Sequence, residues 1–164
     1  MKSNKDVGVI YSNFAKAFDS VVHTKLLYEL KLYGTSYIVL KWPENSLRGR
    51  SQRVRVANSF SKFCPVLSGV PQGGISGPIL FLIYINDICN SSQQSNVILK
   101  LFADDVKLYS EVYSTSDDNL QTCLNNIVKW AELWQFNLSP SKYSVLSIGK
   151  STVNTVYEIN ETRL

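Results

Sequence analysis

Histidine is almost missing from this 164-residue chain, with His23 the only one. Cysteine occurs three times, at Cys64, Cys89 and Cys123, far apart and odd in number. No Cys/His spacing suits zinc, and no disulfide framework is expected. That usage fits a reducing, intracellular compartment, nuclear or cytoplasmic. Long apolar runs are missing too. The strongest, Ile79–Ile85, is far below the ~20 residues a membrane helix needs, so no membrane partner is expected. The opening Met1-Lys2-Ser3-Asn4-Lys5-Asp6 lacks the apolar stretch of a secretory signal. No internal repeat and no Gly-, Pro- or Ser-rich linker divides the chain.

What is present suits one ordinary domain with a packed core: 45% of residues are apolar and 18% charged. The 17 Lys and Arg against 13 Asp and Glu give a net charge of +4. The excess is local. From Lys41 to Lys62 six basic residues meet one acid, Glu44. Within that stretch Arg53-Val54-Arg55-Val56 alternates with period two and reads as a half-exposed strand with its charges outward. Two roles fit it: a track for nucleic-acid phosphates, or a solvated edge strand blunted by charge.

Val7–Tyr11 reads as a buried strand leading into Ser12-Asn13-Phe14. A helix follows, with Val22, Leu26, Leu30 and Tyr33 on one face and Gly34 as its stop. Residues 36–47 look partly helical but are interrupted by Pro43. Residues 68–74 form a turn-rich loop, and an apolar helix runs on to about Ile88 with Pro78 in its first turn. A hairpin spans about 97–112, an amphipathic helix 117–135 and a last strand 144–148. Beyond Gly149 the tail is polar and expected to fray. The mixed order predicts an α+β fold, a small antiparallel sheet with helices on one side.

The most telling feature is Asp104-Asp105, set between apolar flanks that read as two strands. Adjacent carboxylates repel, and a pair held at a stiff turn suits a cation, for which Mg²⁺ is the natural choice. The other such pair, Asp117-Asp118, precedes Leu120, Leu124, Ile127, Ala131 and Trp134 at helical spacing. It reads as the acidic first turn of a helix.

Together these features resemble the palm of a reverse transcriptase of the non-long-terminal-repeat (LINE or jockey) type. Asn13-Phe14-Ala15-Lys16-Ala17-Phe18-Asp19-Ser20-Val21 is similar to the family's first palm motif. Ser68-Gly69-Val70-Pro71-Gln72-Gly73 with Gly77-Pro78-Ile79-Leu80-Phe81 is similar to the second, and Phe102-Ala103-Asp104-Asp105 to the third. Trp130, Trp134, Asn137 and Lys142 resemble the fourth. Telomerase-type and mitochondrial intron-type relatives share the metal site and stay open as alternatives. The resemblance covers residues 7–149 and implies a palm over 1–150 with a polar tail over 151–164. It implies an RNA template, a DNA primer, a deoxynucleoside triphosphate, and two Mg²⁺ about 4 Å apart at Asp104 and Asp105. It gives Lys142 the departing pyrophosphate, and Gly69, Gln72 and Gly73 the approach of template and nucleotide. Phe18 has two readings, a ring that crowds the sugar 2′ position or a core side chain.

Three departures stand out. The family carries aspartate where this chain has Asn13, which removes a full negative charge. Asp19 lies six residues further, roughly 20 Å along a strand, and is not expected to replace it. Ser12 is polar where the family shows a large apolar residue, and Pro43 falls in a helical stretch. Fingers and thumb are expected to be largely absent, with oligomeric state left open. Two functions follow: an RNA-directed DNA polymerase fragment, or an inactive remnant that at most binds nucleic acid or a partner protein.

Overall fold

A computed structural model describes residues 6–92, 96–112, 118–139, 142–149, 156–159 and 162–164. In chain order the elements are β1 (Asp6–Asn13), α1 (Ala17–Ser20), α2 (His23–Leu32), α3 (Tyr37–Leu47), β2 (Ser51–Gln52), β3 (Arg55–Val56), β4 (Ser59–Phe60) and β5 (Cys64–Pro65). There follow α4 (Ser76–Ile85), a 3-10 helix (Asn86–Ser92), β6 (Ile98–Phe102), β7 (Asp105–Val112), α5 (Asn119–Trp134), β8 (Ser144–Ile148), β9 (Glu158–Ile159) and β10 (Thr162–Arg163). They form two compact units: Met1–Lys16 with Asn86–Leu164, and Ala17–Ile85.

The first unit is built on an antiparallel sheet in the order β6-β7-β1-β8. Side chains alternate between its faces. Ile10 and Ser12 of β1 pair with Leu108 and Val106 of β7, and all four are buried. Gly8 lies on the same face. A Cβ there would meet Leu120 of α5 at 2.7 Å, so this is the face that α5 covers. The amphipathic helix expected from the sequence is therefore present, with Leu120, Leu124, Ile127, Ala131 and Trp134 buried. Asp118 sits at its N-cap without a side-chain cap bond, and no acid lies in its first turn. The acidic first turn is corrected to that extent; Asp117 falls outside the described residues. The tail is corrected too. Tyr157 and Ile159 are each 2% exposed, and β9 pairs with β10. Gln121 on α5 exchanges two hydrogen bonds with the Glu158 backbone, at 2.8 and 2.9 Å, so these described tail residues are held rather than frayed.

The second unit packs α2 against α3 and α4. The face of α2 is narrower than its pattern suggests, with Leu26 and Leu30 buried but Tyr33 53% exposed. Helix α3 runs unbroken through Pro43. Proline forfeits one backbone bond there, yet Leu40, Pro43 and Leu47 are all buried on one side, and that packing holds the helix. Helix α4 ends at Ile85, and Asn86–Ser92 continue as 3-10 helix rather than α-helix. The period-two stretch also differs from expectation. Only Arg55–Val56 is strand, Val54 is 66% and Val56 69% exposed, and residues 50–66 form a hairpin arm exposed on both faces. The alternation reflects no buried side.

Candidate active site

The C-terminal end of β1 is pinned by backbone bonds. Asn13 accepts from the Ser139 N–H at 3.0 Å, and Ala15 donates to the Asn137 carbonyl at 2.7 Å. Phe14 packs in an aromatic cluster with Phe136 (5.0 Å between ring centroids) and Trp130 (5.9 Å). Trp130 in turn donates to the Asp87 carboxylate at 2.8 Å. Burial raises the pKa of Asp87, and the hydrogen bonds from Trp130 and Trp134 pull against that rise. Trp130 and Asn137, at two of the fourth-motif positions, thus hold the residues that follow Asn13, a contact the sequence alone did not disclose.

The sheet ladder brings the acids to the same place. Asn13 pairs with Asp105, and Phe102 with Asp105 across the hairpin. Only Ala103 and Asp104 form the turn. Ala103 adopts φ +53°, the left-handed region that favours glycine, so the turn carries some backbone strain. Asp104 is half-buried and Asp105 exposed. The expected hairpin is present, with one correction: Asp104 lies in the turn, while Asp105 is the first residue of β7, paired with Phe102.

The Asn13 amide joins three charged groups. Its Nδ2 donates to Asp105 Oδ1 at 2.5 Å and to Asp104 Oδ2 at 3.3 Å. Its Oδ1 accepts from Lys142 Nζ at 3.3 Å. Chemistry fixes this orientation, because ionised carboxylates only accept and ammonium only donates. The donor set therefore does not fit the pair of divalent cations that the resemblance implies. Two carboxylates remain, and the third group turns N–H toward them where a ligand would turn oxygen. Among the described residues no cluster of three His, Cys, Asp or Glu exists.

Beside the acids, on the sheet face away from α5, lies an open groove of about 500 Å³. Tyr11, Asn13, Lys100, Asp105, Lys107 and Lys142 line it. Lys100 and Lys107 stand directly opposite each other in the β6–β7 ladder, a like-charge pairing that costs stability unless an anion lies over it. The Lys107 ammonium also sits over the Tyr11 ring at 5.2 Å and the Tyr109 ring at 5.6 Å. Beneath β1, Ser12 Oγ is buried and without a hydrogen bond, as is Tyr143 Oη. Burial pushes the Tyr143 pKa up to about 12.

The second unit holds the other expected site residues. Phe18 is half-buried and stacks on Phe81, with centroids 4.1 Å apart and planes at 16°. Gly69, at φ +86°, bonds through N–H to the Val21 carbonyl (2.8 Å), and its own carbonyl meets His23 Nε2 at 2.8 Å. A Cβ at Gly69 would come within 2.8 Å of Asp19 Cα. Gln72 Nε2 donates to Asp19 Oδ1 at 2.8 Å, and Ser68 Oγ to the Asp19 carbonyl at 2.8 Å. Asp19 therefore holds the loop in place. Gly73, at φ +86°, has nothing within 4 Å of a would-be Cβ. Gly77 is tighter than any of them, since a Cβ there would overlap the Pro71 carbonyl oxygen.

The basic arm belongs to the same unit. No acid occurs between Asn45 and Asn86, while five basic residues do: Arg48, Arg50, Arg53, Arg55 and Lys62. The Arg53 guanidinium lies 4.0 Å from the Phe60 ring centroid and 4.7 Å from that of Phe63, both rings exposed. Stacked guanidinium keeps its N–H edge free for phosphate.

Residues 1–158 match the reverse transcriptase (RNA-dependent DNA polymerase) family. The chain belongs to that family. The RNA-directed DNA polymerase from mobile element jockey of Drosophila melanogaster is 28% identical over 159 residues, covering 91% of this chain and 17% of the relative. The probable RNA-directed DNA polymerase from transposon BS of the same organism is 31% identical over 145 residues, covering 81% and 15%. The chain thus spans about a sixth of the length of these relatives. Its fold is similar to apo telomerase from Candida tropicalis (TM-score 0.69, 12% identity, 90% of this chain and 32% of the other). It is also similar to telomerase from Candida albicans solved with a fragment of telomeric RNA (TM-score 0.66, 13% identity, 93% and 29%). The α+β palm expectation agrees with these neighbours. No helix among the described residues is long and apolar enough to cross a membrane.

Proposed function

We propose that this chain is the catalytic-centre portion of an RNA-directed DNA polymerase of a non-long-terminal-repeat retrotransposon, with its chemical step silenced at Asn13. One observation carries the reading: a two-residue turn sets Asp104 and Asp105 beside Asn13 at the head of a lysine-lined groove. The partners are an RNA template, a DNA primer and a deoxynucleoside triphosphate. Lys100 and Lys107 neutralise backbone phosphates crossing the open sheet face, and Tyr11 offers a ring for stacking. Lys142 serves the leaving phosphates. Gly69, Gln72 and Gly73 shape the loop that template and nucleotide approach, and the edge of Phe18 limits room at the sugar. The two Mg²⁺ of the family's chemistry belong at Asp104 and Asp105, and the present donor set does not fit them. The unmodified chain therefore binds template and primer without extending the primer.

A second reading, nucleic-acid binding as the whole remaining role, is favoured by the acid-free arm around Arg53 and Arg55. One experiment tests both. Binding of a labelled RNA template–DNA primer is followed by fluorescence anisotropy, and extension is followed on a gel, for the unmodified chain and Asn13→Asp. Binding by both proteins and extension only by Asn13→Asp supports the polymerase reading. Extension by the unmodified chain refutes silencing, and failure to bind refutes the polymerase reading. Binding by both with extension by neither favours the second reading.

A further inference from the structure

We infer that the Asn13 side-chain NH₂ occupies the place of a cation, an internal stand-in that hydrogen-bonds both acids of the hairpin and shuts divalent metal out from between them. The inference deepens the polymerase reading and rests on it only for the expectation that a cation belongs between these acids.

The geometry is specific. One nitrogen bonds to carboxylate oxygens of both acids, Asp105 Oδ1 at 2.5 Å and Asp104 Oδ2 at 3.3 Å. A bridging cation would need those same oxygens. The opposite end of the amide accepts from the Lys142 ammonium at 3.3 Å, which polarises the amide and makes its N–H groups better donors. Lys142 therefore passes part of its positive charge, through a neutral side chain, to acids it does not itself contact by hydrogen bond among the described residues. Backbone pinning of Asn13 by Ser139 and the Asp105 register fix the main chain from which the amide projects, and its three hydrogen bonds orient it. An aspartate at this position reverses everything. It presents oxygen to oxygen, sets three carboxylates together, and needs a cation to relieve them.

Two opposite consequences follow. Metal-free protein is steadier with the Asn13 amide than with a carboxylate in its place, and metal binding is weaker. Mn²⁺ serves as the probe, with free ion counted by electron paramagnetic resonance and thermal unfolding measured with and without it. No template, primer or nucleotide is present. The expected result is at least tenfold tighter Mn²⁺ binding by Asn13→Asp than by the unmodified chain. Asn13→Asp should also melt lower in metal-free buffer and recover on adding Mn²⁺. Asn13→Ala covers the case in which Asn13→Asp does not fold. It removes the stand-in without adding charge, so it should melt lower without metal and gain a Mn²⁺-dependent rise that the unmodified chain lacks. Equal Mn²⁺ affinity of the unmodified chain and Asn13→Asp overturns the inference, as does the absence of a Mn²⁺ response in both variants. Gain of Mn²⁺ binding without primer extension would leave the stand-in intact and count against the polymerase reading alone.

Discussion

The carboxamides of Gln72 and Asn13 are both set against carboxylates, and they do unlike jobs. In the second unit one amide faces one acid: Gln72 donates to Asp19 at 2.8 Å, both open to water, and the pair holds a loop against a turn. In the first unit one amide faces two acids, with a lysine behind it. The first match is complete in itself. The second leaves two negative charges against a neutral group, an arrangement with an electrostatic deficit that a positive ion would remove. An amide can thus be structural punctuation in one place and a substitute for missing charge in another, and the count of facing carboxylates distinguishes them.

The comparison is broken most severely through the glycines that shape the loop. Gly77→Ala drives a methyl into the Pro71 carbonyl oxygen, a backbone atom with little room to yield. A loss of at least about 3 kcal/mol is expected, in the range of severe overpacking, read as a fall in the denaturant midpoint. Next comes Asn13→Ala, which strips hydrogen bonds from two charged acceptors and should cost about 1–2 kcal/mol in metal-free buffer. Gln72→Ala should cost no more than about 0.5 kcal/mol, because its amide and Asp19 are both open to water. A Gln72→Ala loss as large as that of Asn13→Ala would erase the distinction between the two amides.

Two further effects concern the support beneath β1. Ser12 buries a hydroxyl with no hydrogen bond, so Ser12→Ala should stabilise by about 1 kcal/mol. Tyr143 has its pKa raised from 10.0 to about 12 by burial. Between those values the unfolded chain has lost the phenolic proton and the folded chain retains it. Stability from this group is therefore intact below pH 10 and falls as pH rises toward about 12. Tyr143→Phe should flatten that slope, measured by chemical unfolding across the alkaline range.

Much of the scaffold is legible in the residues. Strand β7 of the hairpin around Asp104-Asp105 and helix α5 follow from period, because each buries one face; β8 is legible only as a short apolar run, since none of its residues is buried. Legibility fails where that condition fails. The arm from Arg50 to Val66 has no buried side, so its alternating Arg and Val carry no fold signal. Helix α3 survives Pro43 because tertiary packing of Leu40 and Leu47 outweighs a local penalty. The tail looks polar, yet among its described residues Tyr157 and Ile159 are buried. At the candidate site, sequence identifies Asn13 as a departure and Asp104 and Asp105 as its neighbours. It cannot say that the amide turns its nitrogen toward the acids, since that orientation depends on Lys142 arriving from 129 residues away. Nor does it disclose Asp19 and Gly77 as the parts that seat the loop, although both lie inside motifs that are plain to read.

The ladder contact between positions 13 and 105 has one more implication. It is made by main-chain atoms, so it is indifferent to what the side chain at 13 carries. Asparagine and aspartate differ by an oxygen for a nitrogen and, in the genetic code, by a single base. A single base change would therefore put an acid at a position whose main chain is already set by the ladder.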